Sequence, residues 1–170
     1  MARALRPMTK EDPATVSMDE IYTRPGHLIR RAQQIAVAVF MEETAGHDVT
    51  PVQYAALVAI RENPDVDATR LSALIAFDRS TLGRVLDILE RKGLILRRSA
   101  GNDRRIKLLR VTEAAVRRLA AMEPGVERAQ QRILGPLPPG ERARFLRGLE
   151  RIVQDNNALS RAPMLTAAEE

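Results

Sequence analysis

The chain contains two short strand-like runs, at residues 94–98 and 105–111, whereas its other periodic segments are helical. The stretch between the runs, residues 99–103, is rich in residues that favour turns: serine, glycine, asparagine and aspartate. We therefore predict a β-hairpin with its tip at residues 99–103. Since no other segment has strand patterning, the expected fold is mainly α with a small β-hairpin.

Three short helices are predicted before the hairpin. Thr50, Pro51 and Gln53 form a capping box with proline in the first helical position, and Asp67 can cap the next helix. A turn at residues 76–78 leads into a helix over residues 79–92, and Gly93 suits its C-terminal end. This order is that of a winged helix-turn-helix domain, which we place at residues 50–111.

The helix over residues 79–92 has two chemically different faces. The apolar face carries Leu82, Val85, Leu86 and Leu89, and the opposite face carries Ser80, Arg84, Asp87 and Arg91. In this fold the corresponding helix enters a major groove of DNA. Arg84 is long enough for a bidentate contact with guanine, and Ser80 and Thr81 can reach bases or phosphates. The alternative is an ordinary surface helix, whose outer face is also charged.

Positive charge is concentrated in the same part of the chain. Residues 79–110 contain ten Lys or Arg and three acids, a net charge of +7, whereas the whole chain has +5. A local cationic surface of this kind indicates a nucleic-acid partner.

Part of this charge surrounds the predicted hairpin tip, at Arg97, Arg98, Arg104 and Arg105. Because a narrow minor groove attracts arginine, we predict that Arg97, Arg104 and Arg105 contact DNA. Asp103 can hold Arg105 through a salt bridge, shape the tip as an Asx-turn residue, or do both.

The composition excludes several classes of function. The chain has no cysteine and two histidines, which argues against disulfides, thiol-based redox sensing and a cysteine or histidine metal centre. No nucleophile–base pair or glycine-rich phosphate loop is evident, so we predict neither an enzyme nor a bound cofactor. No apolar run reaches the roughly 18 residues of a membrane span, and the first residues lack a signal-peptide core. We expect a cytoplasmic protein with no membrane contact.

Further segments flank the predicted DNA-binding domain. Residues 1–24 are interpreted as a flexible or extended arm, 25–46 as a helix that starts at Pro25, and 158–170 as a frayed tail. Residues 112–157 are expected to form helices, with a kink or break at Pro124-Gly125 and a loop over residues 135–140. The helices at 25–46 and 112–157 are apolar and have no evident partner within the chain.

Residues 67–112 resemble the MarR family of bacterial transcriptional regulators. The resemblance rests on Asp78-Arg79-Ser80-Thr81-Leu82, on residues 89–95, on Asp103-x-Arg105 and on the strand exit at residues 109–112. With the flanking helices it covers residues 25–155. It implies an obligate homodimer, with dimerisation helices at 25–46 and 112–157, that binds a pseudo-palindrome in double-stranded DNA.

The resemblance also implies a role for particular residues. It places Ser80, Thr81 and Arg84 in the major groove and Arg105 in the minor groove. It places Thr69, Arg70 and Arg79 near phosphates.

Relatives of this kind commonly bind small aromatic anions in a cleft between the dimer helices and the winged module. Polar groups that suit such an effector precede the apolar half of the first long helix: Tyr22, His27, Arg30, Arg31 and Gln34. An arginine in a partly buried site can clamp a carboxylate. The alternatives are a His27 bonded to nearby backbone, and arginines that are solvated or pair across the dimer.

Residues 25–35 resemble the branch of the family that represses nicotinate and aromatic-acid catabolism. This resemblance implies a small aromatic carboxylate, such as a hydroxylated nicotinate, as the effector that releases the protein from its operator. The competing interpretation is an architectural or nonspecific DNA-binding protein without an effector. The two interpretations are distinguished by the ratio of affinity for promoter DNA to affinity for random DNA, measured at fixed salt. A ratio near one favours the architectural protein.

Overall fold

The computed structural model describes residues 16–100 and 103–164, apart from the side chains of residues 100 and 103–105. Within this part the helices are α1 (Met18–Thr23), α2 (Pro25–Glu43), α3 (Pro51–Glu62), α4 (Ala68–Leu74), α5 (Arg79–Arg91), α6 (Glu113–Leu134) and α7 (Pro139–Asp155), and the strands are β1 (Val66–Asp67), β2 (Ile95–Ala100) and β3 (Asp103–Val111). A short 3-10 turn, Asn157–Leu159, follows α7. The chain divides into two compact units, residues 1–35 and 36–170, which are described separately. The fold is mainly helical with a small sheet, as expected.

The N-terminal unit contains a helix that was not anticipated. Residues 18–23 are helical, so the expectation of a flexible or extended arm over 1–24 is wrong for this stretch; residues 1–15 lie outside the described part. The Ser17 hydroxyl oxygen accepts from the Glu20 amide, and the Glu20 carboxylate accepts from the Ser17 amide, so a complete capping box starts α1. The signal Ser-x-x-Glu is therefore present in the sequence. As predicted, α2 begins at Pro25.

The larger unit contains the predicted helix-turn-helix. Thr50 and Gln53 form the expected capping box at α3, and Asp67 accepts hydrogen bonds from the first turn of α4. The apolar face of α5 is buried: Leu82, Val85, Leu86 and Leu89 are at most 7% exposed. The end of α5 at Gly93, with φ +67°, is also confirmed.

The turn between α4 and α5 is closed by Ser72 and Phe77. The buried Ser72 hydroxyl donates to the Phe77 carbonyl (2.6 Å), and the Phe77 amide donates to the Ser72 carbonyl (3.0 Å). Ala76 reverses the chain with φ +48°. These bonds set the direction in which α5 leaves the turn.

The sheet is larger than the predicted hairpin. Its strand order is β1-β3-β2, and Val66 of β1 pairs with Leu109. The two residues of β1 are too few to produce a detectable alternation, which is why this strand was missed. The hairpin strands also extend to Ala100 and Asp103, so Ser99, Ala100 and Asp103 belong to the strands and not to the predicted tip, and the register shifts after Ser99.

The helix α6 runs through Pro124, so the possibility of a break there is wrong. A β-carbon added at Gly125 would lie 2.4 Å from the carbonyl oxygen of Glu43, at the end of α2. Glycine therefore permits a close crossing of α2 and α6.

The C-terminal segment differs from the prediction at one point. The loop after α6 spans residues 135–138, because Pro139 and Gly140 already belong to α7. The tail up to residue 164 makes contacts with the 3-10 turn that follows α7, and its expected fraying stays a prediction. The Asn157 side chain donates to the Met164 carbonyl and accepts from its amide, both at 2.9 Å. None of the described helices is long and apolar enough to cross a membrane.

The crossing of α2 and α6 gives a stability prediction. Gly125→Ala should lower the free energy of unfolding by about 1–3 kcal/mol, because the new methyl group meets backbone that cannot rotate away. Gly83→Ala is the matched control, since nothing lies within 4 Å of its added β-carbon. The control should gain about 1 kcal/mol from helix propensity. Urea denaturation measures both, and equal stabilisation by the two variants would contradict the close crossing.

Candidate nucleic-acid interface

The first two turns of α5 present polar side chains to solvent. Arg79, Ser80, Thr81 and Arg84 are exposed on this helix, opposite its buried apolar face. The core on one side fixes the helix, while the other side remains accessible to a ligand. This is the arrangement that a helix needs to enter a groove of DNA.

Asp78 organises the start of α5. Its Oδ1 accepts from the amides of Ser80 (2.9 Å) and Thr81 (3.2 Å), and the Ser80 hydroxyl also donates to it. The hydrogen bond from the Ser80 side chain, followed by that from the Thr81 amide, lowers the pKa of Asp78, so the carboxylate stays ionised. Because the Ser80 proton is directed to Asp78, the Ser80 oxygen is left as an acceptor towards solvent.

The start of α4 lies beside α5 and the hairpin. Thr69 and Arg70 are exposed there, and their amides donate to Asp67 (2.7 and 3.0 Å). A groove of about 460 Å³ separates these elements. Its lining is Asp67, Ala68, Thr69, Arg79, Gly83, Leu86, Arg97, Ile106, Lys107 and Leu109. Thr69 and Arg79, both predicted near phosphates, therefore share one concave surface.

Arg97 does not extend away from the protein. Its Nη2 lies 2.6 Å from Asp87 Oδ1, and its Nε lies 3.2 Å from Glu90 Oε2. Both acids belong to α5. The structure thus directs Arg97, predicted to contact DNA, towards the helix beside it. The side chains of Asp103, Arg104 and Arg105 lie outside the described part, so their predicted roles stay predictions.

Two further cations of the basic segment are ion-paired within the protein. Arg110 forms a bidentate pair with Asp65, with Nε at 2.6 Å from Oδ1, and Lys92 Nζ lies 2.9 Å from Asp48 Oδ2. The hydrogen bonds from Arg110 lower the pKa of Asp65 despite the opposing effect of burial. The Asp65 amide also donates to the Leu109 carbonyl (3.0 Å). This pair therefore ties the loop after α3 to β3.

The residues proposed for an effector lie together in the N-terminal unit. His27, Arg30, Arg31 and Gln34 occupy positions i, i+3, i+4 and i+7 of α2, which share one helix face. The rings of Tyr22 and His27 meet edge to face with centroids 5.4 Å apart. Arg31 Nη1 donates to Gln34 Oε1 (3.2 Å). These groups therefore share one surface of the N-terminal unit, on which Tyr22, Arg30, Arg31 and Gln34 are exposed and His27 is half-buried. Their role in binding an effector stays a prediction.

Sequence reasoning missed Lys107 as a candidate DNA contact. It is exposed, lines the groove, and its Nζ donates to Ser99 Oγ across the hairpin (2.8 Å). The sequence feature that could have identified Lys107 is its position within the basic segment 79–110. The pairing with Ser99 depends on the strand register, which the sequence did not reveal.

Comparisons with known proteins agree with this geometry. A model of the MarR family matches residues 49–107. The structure of the PcaV transcriptional regulator from Streptomyces coelicolor in complex with its natural ligand is 31% identical, with a TM-score of 0.73, over 83% of this chain and 97% of that one. The HTH-type transcriptional repressor NicR of Pseudomonas putida is 27% identical over 154 residues, which cover 88% of this chain and 98% of NicR.

A third relative concerns regulation by a ligand. This relative is BpsR of Bordetella bronchiseptica, whose structure is described as showing the mechanism for regulation of DNA binding by 6-hydroxynicotinic acid. Its sequence is 27% identical to this chain. Its TM-score is 0.71, over 77% of this chain and 94% of that one.

The Asp65–Arg110 pair predicts a specific pH dependence of stability. Because the folded-state pKa of Asp65 is below its unfolded value near 3.8, its contribution is present above that value and is lost as pH falls through the folded pKa. Asp65→Asn should therefore unfold at a lower temperature at neutral pH and lose less stability on acidification than the unchanged protein. Thermal denaturation between about pH 7 and pH 2 measures this. Arg110→Met should behave in the same way, and parallel pH profiles for all three proteins would contradict the pair.

Proposed function

Because this chain belongs to the MarR family of transcriptional regulators, we propose that it is a homodimeric repressor that binds a pseudo-palindromic operator and is released by a small aromatic carboxylate. The protein is a MarR-type transcriptional repressor and not an enzyme. The dimer, the symmetry of the operator and the effector are the proposed parts.

The observation that carries the proposal is the two-faced α5 beside the basic hairpin. Four leucine and valine side chains hold one face in the core, and Arg79, Ser80, Thr81 and Arg84 project from the other. In the proposed complex Arg84 reads guanine, while Ser80 accepts a hydrogen bond from a base amino group.

Phosphate contacts are assigned to exposed groups around α5. Thr69, Arg70 and Arg79 approach the backbone from the start of α4 and α5, and Lys107 joins them from the hairpin. Arg104 and Arg105 are proposed for the minor groove, with Asp103 orienting Arg105.

The dimer is supported by apolar surface that the single chain leaves exposed. No residue of the 17-residue α7 is buried, yet it carries five large apolar side chains that are at least 37% exposed: Phe145, Leu146, Leu149, Ile152 and Val153. Exposed patches of this kind mark interaction sites. A second copy of the chain packed against this face of α7 would bring two α5 helices into one dimer. The two helices would then fit two half-sites about one helical turn apart.

The effector proposal rests on the polar face of α2. Arg30 and Arg31 offer a cationic fork to a carboxylate, and the Tyr22–His27 pair offers an aromatic edge and a ring nitrogen to a hydroxylated ring. The ligand named for BpsR, 6-hydroxynicotinic acid, has both a carboxylate and a hydroxylated ring. The alternative of a nonspecific architectural protein requires neither this face nor a helix with base-reading side chains.

The operator proposal is tested with two arginine variants. Arg84→Ala should relax base preference at one position in each half-site, whereas Arg105→Ala should weaken binding and reduce the slope of log affinity against log salt by about 1. Fluorescence anisotropy on operator and random duplexes measures both effects, with two chains expected per operator.

The control for these variants is Arg117→Ala, which removes an exposed charge on α6. A uniform loss across all sequences would make Arg84 a phosphate contact. A ratio of specific to random affinity near one for the unchanged protein would instead favour the architectural alternative.

The effector proposal predicts thermal stabilisation by small aromatic acids. 6-Hydroxynicotinate, salicylate or protocatechuate at about 100 times its Kd should stabilise the protein by about 2.7 kcal/mol and release the operator. 6-Hydroxynicotinamide, which lacks the carboxylate, should have little effect, and Arg31→Ala should weaken the response. Absence of stabilisation by all three acids at millimolar concentration would argue strongly against this effector class.

A further inference from the structure

We propose that Arg97 is a positioning residue that fixes the hairpin against α5, and that it does not itself bind DNA. This inference rests on the proposed function, because it assumes that α5 and the hairpin engage the operator together. It replaces the expectation, drawn from sequence alone, that Arg97 is one of the DNA-contacting arginines.

The strand register directs Arg97 inward. Arg97 pairs with Leu109, which is 1% exposed, and lies two residues after Ile95, which is fully buried. Because side chains alternate along a strand, Arg97 shares the inner face with Ile95, while Arg98 lies on the outer face. The Arg97 side chain is only 26% exposed. Its Nε is shielded from solvent, and its 3.2 Å contact with Glu90 is an ion pair without hydrogen-bond geometry, so the hydrogen bond of this cluster is the one to Asp87.

The guanidinium joins two carboxylates of one helix face. Asp87 and Glu90 are three residues apart on α5, and Arg97 lies 2.6 Å from the first and 3.2 Å from the second. A planar guanidinium with two partners fixes orientation better than a single ammonium contact. To reach a phosphate, Arg97 would have to abandon both carboxylates and leave two unneutralised negative charges beside DNA.

The contribution of this cluster to folding is expected to be small, because the carboxylates are largely exposed and such pairs are screened by solvent. Its effect on binding is expected to be larger. The α5 helix and the hairpin act as two linked DNA-binding elements. Their joint affinity depends on how well the contact of Arg97 with α5 holds them at the correct separation. Base contacts also require placement within about 0.5 Å.

The test compares Arg97→Met with the double variant Asp87→Asn/Glu90→Gln. If Arg97 positions the hairpin, both variants should weaken operator binding about tenfold, with an unchanged salt slope. The triple variant should bind no more weakly than Arg97→Met, since the same linkage is already lost. Hydroxyl-radical footprinting should show loss of minor-groove protection at the hairpin while protection by α5 remains.

A direct DNA contact predicts the opposite results. Arg97→Met would then reduce the salt slope by about 1, and removal of the two acids would tighten binding by freeing Arg97 and reducing repulsion. Either result would overturn the proposal. Arg98→Met removes the same charge from the outer face and serves as the charge-matched comparison. Circular dichroism confirms that each variant is folded.

The unchanged protein separates this proposal from the proposed function. If it binds operator and random DNA equally, the proposed function fails. If it is specific and the variants behave as for a phosphate contact, only the role of Arg97 fails.

Discussion

Four structural elements meet at the hydrogen bonds around Gly93 and Thr112, and the placement of the DNA-facing parts depends on them. Gly93 adopts φ +67°, which allows only three residues to separate the end of α5 from the start of β2. The Thr112 amide donates to the Leu94 carbonyl (3.0 Å), and its hydroxyl donates to the Gly93 carbonyl (2.8 Å) while accepting from the Ala115 amide (3.2 Å). One residue thus joins the end of α5, the base of the hairpin and the first turn of α6. The buried Leu94 and Ile95 shield this junction from water.

The same framework explains why formal charge overstates the charge available to DNA. The segment 79–110 has a net charge of +7, but Lys92 and Arg110 are paired with Asp48 and Asp65, which lie outside it in sequence. Arg97 is paired with acids inside the segment. Among the cations whose side chains are described, these three therefore stabilise or orient the module. A charge count from sequence detects a cationic surface. It cannot distinguish cations that are paired within the protein from cations that are accessible to DNA, because that distinction depends on tertiary contacts.

Local signals predicted most of the winged module, and long-range contacts account for what they missed. The caps at Thr50 and Asp67 act within one helical turn, so their residues suffice to locate two helix starts. Strand β1 is defined by the pairing of Val66 with Leu109 across the sheet, and α6 continues through Pro124 where Gly125 lies against the end of α2. Helical period likewise predicted that Arg84 is exposed, since it lies opposite a leucine-rich face. It could not predict that Arg97 turns inward, which required the strand register.

The helix α7 obeys a different constraint from α5. Both are amphipathic, but α5 buries four residues in its own chain and α7 buries none. A 17-residue helix with no buried face is only marginally stable in water, because most helical stability in proteins comes from packing. Its apolar side chains therefore need a surface that the described part of one chain does not provide, and the proposed partner copy is the simplest source. In that arrangement the distance between the two α5 helices is set by how the two chains associate. Substitutions on α7 would then alter operator affinity through half-site spacing, without changing any residue that faces DNA.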